Sequence, residues 1–538
     1  MRLPAPRRQA LLPWLLLSLL IFASGDSDSS DETCPAGGCK KSFPWKSPSP
    51  WEPKTLSVVL PCANEGEFAQ KTAKAVAESV PPGILAEIIV VDDGSKPSIA
   101  STFDKEEREK LGVRIVRHKF AKGLIQAKSA GARNATGDVI VFFDCHVGPQ
   151  TGWHTELMKE ISGNYRRIVV PSITNLNIDT WKQDSRGGGV NKCYLTWDAD
   201  FKWFNSKDNY MPVLSGGLLG ISRKWWNETG GYDSKMKSWG GENIDQSLRT
   251  WLCGGEIVAV PKAEVAHMWR TPDDPRTMSG YEVDTMASIV NRARAAKGWY
   301  GKFAGKLKEF PWYPYVGFDR LDVSEFKEVQ QRLGCRPFSW FLWRFKSIYE
   351  HAGLVPEKTF KVRHAKSGLC LTYLGPTGTH QQGQDEVRLE PCKEGPREPE
   401  DGAMPTMPPN QNPQRWHLAN RNSDGLCCSG LRALNTDQCL SSPMKSVPVQ
   451  THICEVSGRN DMMLKITDGT EQHLAPGQFA SPSGFCLVKK GSYIQQGPCK
   501  AKGDSKARVV WEIFDEKEPA EYKMYKQALE LKPELYVD

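Results

Sequence analysis

Asp138-Val139-Ile140-Val141-Phe142-Phe143-Asp144-Cys145-His146 is an apolar run that stops on a carboxylate and an imidazole. Apolar at nearly every position, such a run reads as a strand covered on both faces, the environment of a parallel sheet. Working outward, four more short runs repeat the pattern: LSVVLP (56–61), EIIVVDD (87–93), VRIVRH (113–118) and RRIVVPSI (166–173). Helix-like stretches lie near 67–79, 123–135 and 153–161. Strands alternating with helices predict an α/β domain built on a mainly parallel sheet. Ligands of such sheets collect at the carboxyl ends of the strands. Two of these ends are acidic, at Asp92-Asp93 and at Asp144.

The whole chain has 538 residues, 39% of them hydrophobic and 25% charged, which gives room for two or three domains with proper cores and speaks against disorder. Its 70 Lys and Arg are interspersed with 63 Asp and Glu for a net charge of +7, so no basic stripe suited to nucleic acid is formed. At the start, Arg2, Arg7 and Arg8 precede an apolar run from Ala10 to Ala23. That run of about 14 residues, interrupted by Pro13, is short of the roughly 20 that span a bilayer. Residues 1–25 therefore read as a secretory signal peptide, with a signal anchor as the alternative. The 15 cysteines agree with an oxidising compartment, and their odd number leaves at least one thiol unpaired. Residues 26–54, rich in Ser, Asp, Gly and Pro, read as a stem or linker.

Beyond about residue 359 the helical pattern fades and a weak repeat appears. The first copy has Gly368-Leu369-Cys370-Leu371, Leu389-Glu390-Pro391-Cys392 and Gln414-Arg415-Trp416. The second has Cys439-Leu440 and Cys454, and the third Gly484-Phe485-Cys486-Leu487, Cys499 and Trp511. These units resemble an all-β ricin-type β-trefoil over 358–516. The resemblance implies one disulfide per copy, Cys370 with Cys392, Cys439 with Cys454 and Cys486 with Cys499, and makes 393–413 a surface insertion. The last residues, 517–538, alternate charged with apolar side chains and read as a solvated helical tail.

Two groups of residues point to chemistry. On a strand, Asp144 and His146 would share a face, and His267 closes another apolar stretch, EIVAVPKAEVAH (256–267). By itself an Asp-x-His is an ordinary polar strand end. With His267 it becomes a carboxylate and two imidazoles, a donor set for a borderline divalent ion. The second group is Met236-Lys237-Ser238-Trp239-Gly240-Gly241-Glu242-Asn243-Ile244. Its glycines allow backbone to approach a ligand, Trp239 offers a flat face for a sugar, and Glu242 sits where a helix would start. The same stretch is also compatible with a plain helix N-terminus whose Glu242 faces its own amides.

Taken in order, Asn64-Glu65, Val91-Asp92-Asp93, Gly123-Leu124-Ile125, Asp144-Cys145-His146, Gly152-Trp153, Ser215-Gly216-Gly217-Leu218, Tyr232-Asp233, Trp239-Gly240-Gly241-Glu242-Asn243, Cys253-Gly254-Gly255 and His267-Met268-Trp269-Arg270 resemble the polypeptide N-acetylgalactosaminyltransferases. The likeness runs on through Asn291-Arg292-Ala293-Arg294-Ala295 and Leu333-Gly334-Cys335-Arg336-Pro337-Phe338, from Leu56 to about Glu512. It implies a Rossmann-like glycosyltransferase A-type catalytic domain over 55–350. The implied reaction moves N-acetylgalactosamine from UDP-GalNAc to Ser or Thr hydroxyls of protein or glycopeptide acceptors, with retention at the anomeric carbon. By the same resemblance Asp144, His146 and His267 would bind Mn2+, Asp93 would contact the uridine, and Arg270 would meet the diphosphate. Ser215, Gly216 and Gly217 would border the donor sugar, Glu242 would help hold it with Asn243 alongside, and Trp239 would belong to a catalytic loop. A secretory-pathway location follows, in the Golgi lumen or after secretion. Cys253 and Cys335 would pair, as would Cys34 and Cys39 locally.

Several positions depart from the family pattern. Ala63 stands where the family has His, Ala121 near the usual Arg, and Pro275 in place of a Tyr. Those changes touch the donor contacts, so a metal-dependent transferase for another UDP-sugar, such as UDP-GlcNAc, is the first alternative. A carbohydrate-binding protein without catalysis is the second. In the trefoil, Thr372, Ser441 and Val488 stand where an acidic residue would fix a sugar, and Met463 replaces an aromatic. A structural trefoil is expected, with weak glycan binding left to His and Asn positions.

Overall fold

A computed structural model describes residues 51–185, 192–204, 208–278, 283–310, 312–351, 353–375, 384–395, 412–419, 430–436, 438–441, 448–454, 465–466, 478–480, 485–491, 493–499 and 510–530. The leader 1–25, most of the stem, the Cys34 and Cys39 pair, Met463, residues 396–411 of the insertion and the end of the tail lie outside them. Among the described residues no helix is long and apolar enough to cross a membrane.

The N-terminal body is a nine-stranded sheet. Its strands, with the hairpin pair β8 and β9 that forms a small sheet of its own, are β1 (Leu56–Cys62), β2 (Leu85–Asp93), β3 (Val113–His118), β4 (Val139–Phe142), β5 (Val147–Pro149), β6 (Arg167–Asn177), β7 (Lys182–Ser185), β8 (Lys192–Leu195), β9 (Phe201–Phe204), β10 (Leu219–Ser222) and β11 (Glu256–His267). The order is β3-β2-β1-β4-β10-β6-β11-β5, with β7 paired to β6. Both faces are covered. Val59, Ile89, Val91, Ile140 and Phe142 enter one core cluster, and Val58, Leu60, Ile88, Val90, Val139 and Val141 another. That double burial is why the runs read as continuously apolar rather than alternating.

Two expectations about this sheet change. It is mixed rather than mainly parallel, because β10 enters antiparallel between β4 and β6. Four residues, Leu219–Ser222, are too few to announce a strand by periodicity. Asp144 and His146, moreover, are not on a strand: β4 ends at Phe142, and the two side chains converge through the bend between β4 and β5. The bend is useful because β5 pairs with the end of β11 and sets Val147 opposite His267. A histidine 123 positions away in sequence is thereby delivered beside Asp144.

Helices Leu124–Asn134, Trp153–Gly163 and Glu242–Leu252 follow the sequence expectations closely. Every residue of the last is buried, an unusual state for a segment holding Glu242, Asp245 and Arg249. Arg249 resolves it by bracketing Asp245 at 2.8–3.1 Å while the Trp299 indole donates to the same carboxylate at 2.9 Å.

The C-terminal body is antiparallel. Seven strands close a ring because Cys370–Gly375 pairs with both Thr359–His364 and Gln384–Glu390. The three expected disulfides are present, as is Cys253–Cys335. The repeat is visible in hydrogen bonds: Trp416 Nε1 donates to Leu371 O at 3.0 Å, and Trp511 Nε1 to Leu487 O at 3.0 Å. Each indole thus reaches back to the Leu of its own Cys-Leu unit, one rule used in two copies.

His417, wholly buried on the strand Trp416–Ala419, is pushed down to about 3 by burial and by the nearby Arg432. It is neutral in the folded chain at neutral pH. Below its ordinary value near 6.5 the unfolded chain takes up a proton that the folded chain refuses, so this contribution is complete above pH 6.5 and lost progressively toward pH 3. At about 1.4 kcal/mol per pH unit, roughly 3 kcal/mol should go between pH 6.5 and 4. Urea unfolding midpoints across that range should fall, and His417→Gln should flatten the fall; parallel curves for the two proteins would refute the assignment.

Residues 520–530 of the expected tail are not a wholly solvated helix. Helix Ala520–Glu530 docks on the N-terminal body, with Tyr525 and Ala528 buried. Glu521 meets the buried Lys306 at 2.6 Å, and the Tyr525 hydroxyl donates to Glu350 at 2.9 Å. Charges alternating with apolar residues suggested a wet surface, but Glu521 finds its cation 215 positions upstream. Between the two bodies, Asn435 donates to Glu309 at 2.8 Å.

Candidate metal centre and donor cleft

Asp144, His146 and His267 come together at the carboxyl end of the sheet, their donor atoms all within 4.8 Å of one another. His267 Nε2 is 3.1 Å from Asp144 Oδ2, and the two imidazoles meet edge to face at 4.9 Å. Burial would raise the proton affinity of Asp144, but the hydrogen bond and charge of His267, with His146 and Lys128, outweigh it and hold the carboxyl well below the usual range. An ionised carboxylate with two imidazoles is a fitting donor set for a divalent ion.

Sequence reasoning gave no role to Glu65, yet it supports the centre. One oxygen lies 3.2 Å from His146 Nδ1 and the other accepts from Arg270 at 2.6 Å. Burial opposes ionisation of Glu65, and His146 and Arg270 more than offset it. A carboxylate on one imidazole nitrogen fixes the ring and its tautomer and leaves the other nitrogen for a ligand.

Two adjoining cavities of about 580 and 470 Å³ share Asp144, His267, Trp239 and Trp269. The first also holds Asp93 and Arg270, and the second Ser215, Gly216, Gly217, Glu242 and Asn243. All the expected site residues therefore line one connected cleft. Asp93 enters it differently from expectation: its oxygens already accept from the amides of Lys122 and Gly123 at 2.7–3.1 Å and lie 2.6 Å from His118. Here it fixes the 118–123 loop. Arg270 also donates to Thr277 O at 2.8 Å, inside the short turn that begins at Pro275.

The glycines are set by contact. A Cβ on Gly217 would sit 3.3 Å from Asp144 Oδ2, and one on Gly216, where φ is +101°, 3.2 Å from Asn243 Cβ. Small residues thus keep the metal carboxylate and the cleft wall in place. Glu242 opens its helix as expected and is almost fully buried. Burial raises its proton affinity, while Lys128 and backbone hydrogen bonds at Glu242 and Gly240 work against the rise. Its Oε2 has no hydrogen-bond partner among the described residues. Asn243 donates to Leu214 O at 2.9 Å. Trp239 is 43% exposed at the cleft mouth, on a loop pinned by Asn291, which donates to Lys237 O and Gly240 O at 2.7 and 2.9 Å.

The second missed residue is Lys128. It is fully buried, donates to Gly216 O and lies 4.0 Å from Glu242 Oε1. The signal was present: Lys128 is the single charge on the buried face it forms with Ile125 and Ala132.

The family model described as Glycosyl transferase family 2 matches residues 57–229, and one described as the N-terminal domain of galactosyltransferase matches 200–272. Polypeptide N-acetylgalactosaminyltransferase 10 of Mus musculus is 30% identical over 366 residues, 63% of this chain and 57% of that protein. Polypeptide N-acetylgalactosaminyltransferase 15 of Homo sapiens is 31% identical over 333 residues, 59% of this chain and 51% of the relative. The chain thus spans little more than half the length of these curated relatives. A solved structure described as GalNAc-T7 with UDP, GalNAc and Mn2+ superposes with a TM-score of 0.53 at 24% identity, over 86% of this chain and 82% of the other. That likeness establishes a shared fold.

Proposed function

We propose that the chain, which is similar to the polypeptide N-acetylgalactosaminyltransferases, is a retaining, manganese-dependent glycosyltransferase that moves GalNAc from UDP-GalNAc to Ser or Thr hydroxyls of protein acceptors. The observation that carries the reading is the convergence of Asp144, His146 and His267 within 4.8 Å in a cleft that also holds Arg270 and Glu242. Asp144, His146 and His267 would hold the ion, which would offset the negative charge of the leaving diphosphate. Arg270, steadied by Glu65 and Thr277, offers a guanidinium to phosphate oxygens at the same edge. Gly216 and Gly217 let the sugar lie close to backbone, and the free oxygen of Glu242 accepts from a sugar hydroxyl. Lys128 holds Gly216 and Glu242 in one arrangement, so it is a positioning residue. Trp239 stacks on the sugar or acceptor at the mouth, and Asp93 sets the uridine side of the cleft through the loop it anchors.

The trefoil serves structure first in this reading. Thr372 and Ser441, at the sugar-fixing positions of two copies, are buried, and Thr372 accepts from Gln414 of its own copy at 3.0 Å. The leader and disulfides support a secretory-pathway location, in the Golgi lumen or after secretion.

A second reading, transfer from a different UDP-sugar, is favoured by Ala63, which lines the larger cavity beside Glu65. Incubating the chain from residue 26 with manganese, Ser- and Thr-containing peptides and a panel of UDP-sugars separates the readings by peptide mass. One N-acetylhexosamine gained from UDP-GalNAc alone is the expected result. A gain from another donor instead selects the second reading, and no gain from any donor in folded protein points to a carbohydrate-binding role.

A further inference from the structure

Cys62 is the last residue of β1, and Cys145 stands between the ligands Asp144 and His146; the two are joined by a disulfide. The final rung between the parallel strands β1 and β4 pairs Val59 with Phe142. Three positions further on, the same register sets position 62 opposite position 145, so the sulfur bridge continues the pairing beyond that rung. The Cα atoms are 5.6 Å apart, within the span a disulfide bridges. Both cysteines are buried and line the larger cavity together with Asp144, His146 and Glu65.

Each side of the bridge carries part of the metal centre. Beyond Cys62 the chain supplies Glu65, which orients His146 from Nδ1 and holds Arg270. Around Cys145 it supplies the two ligands themselves, on a bend rather than a strand. Without the bridge, the ligand bend would rely on the Phe143 amide to Val59 O bond, the Met268 amide to His146 O bond and the Val147 amide to Thr72 bond, each 3.1 Å. We infer that the Cys62–Cys145 disulfide is a positioning element of the metal centre, locking the Asp144–His146 bend to the Glu65 arm and thereby setting the affinity for the divalent ion. This rests on the metal-dependent reading above. The second catalytic-body disulfide, Cys253–Cys335, has no part in either cavity and provides an internal control.

The test uses the chain from residue 26, with disulfides mapped by mass spectrometry of unreduced peptides and manganese affinity read from the electron-spin signal of free Mn2+. The double variant Cys62→Ser/Cys145→Ser should bind manganese at least about tenfold more weakly, the scale on which supporting residues act on a metal site. Cys253→Ser/Cys335→Ser should lower the melting temperature yet leave manganese affinity within twofold. Two free thiols at Cys62 and Cys145 in the native protein, or unchanged manganese affinity in the first variant, would overturn the inference. Equal loss in both double variants would reduce the bridge to general stability and overturn it as well. A wild-type protein that binds no manganese would sink the metal reading itself and this inference with it.

Discussion

Asp144→Ala is expected to lower sugar transfer by at least about three orders of magnitude while the protein remains folded. Asp144 is the only carboxylate of the donor set, lies 3.1 Å from His267 Nε2, and is held ionised by its surroundings although it is partly buried. Removing it leaves two imidazoles, a much poorer grip on manganese than carboxylate plus imidazole. It also removes the group that Gly217 is small enough to accommodate. Transfer should be measured against manganese concentration, with a melting curve on the same sample. A variant that retains a tenth or more of wild-type turnover would exclude this site as the catalytic metal centre.

The second large effect concerns stability. Arg249→Ala should cost about 3–5 kcal/mol, because it strands the fully buried carboxylate of Asp245. Arg249 makes three hydrogen bonds to Asp245 and a fourth to Thr229 O at 2.8 Å, all buried. Burial already raises the proton affinity of Asp245 against the restraining charge of Arg249, so without the guanidinium the acid must bury its charge or take up a proton. The consequence reaches the cleft, since the same helix begins with Glu242 and Asn243. Urea unfolding should show a lowered midpoint, and Asp245→Asn combined with Arg249→Met should recover much of the loss. A single variant within 1 kcal/mol of wild type would contradict the ion pair's role.

These effects separate what the sequence makes legible from what it hides. Runs such as 87–93 announce buried strands because local composition and burial go together, and the Cys-Leu units announce their own disulfides. Asp144, His146 and His267 were readable as a candidate set because carboxylate and imidazole donors at the ends of apolar runs are chemically conspicuous. Lys128 was legible only as a lone charge on the apolar face of Ile125 and Ala132, and its role appears once Gly216 and Glu242 arrive from elsewhere in the chain. The Cys62–Cys145 bridge was hidden because it depends on strand register, which the spacing of the two cysteines does not encode. The same limit applies to β10 and to the docked helix Ala520–Glu530, whose places are decided by partners far away in sequence.

That last helix has a consequence for how the protein is made. Synthesis is vectorial, and N-terminal domains ordinarily fold while later ones are still being translated. Here the buried Lys306, already paired with Glu309 at 2.7 Å, gains Glu521 only with this helix, and Glu350 gains Tyr525. The N-terminal body therefore leaves the ribosome with a seam that helix Ala520–Glu530 closes. Nascent chains arrested after the trefoil should present that seam to chaperones, and chains extended through residue 530 should not.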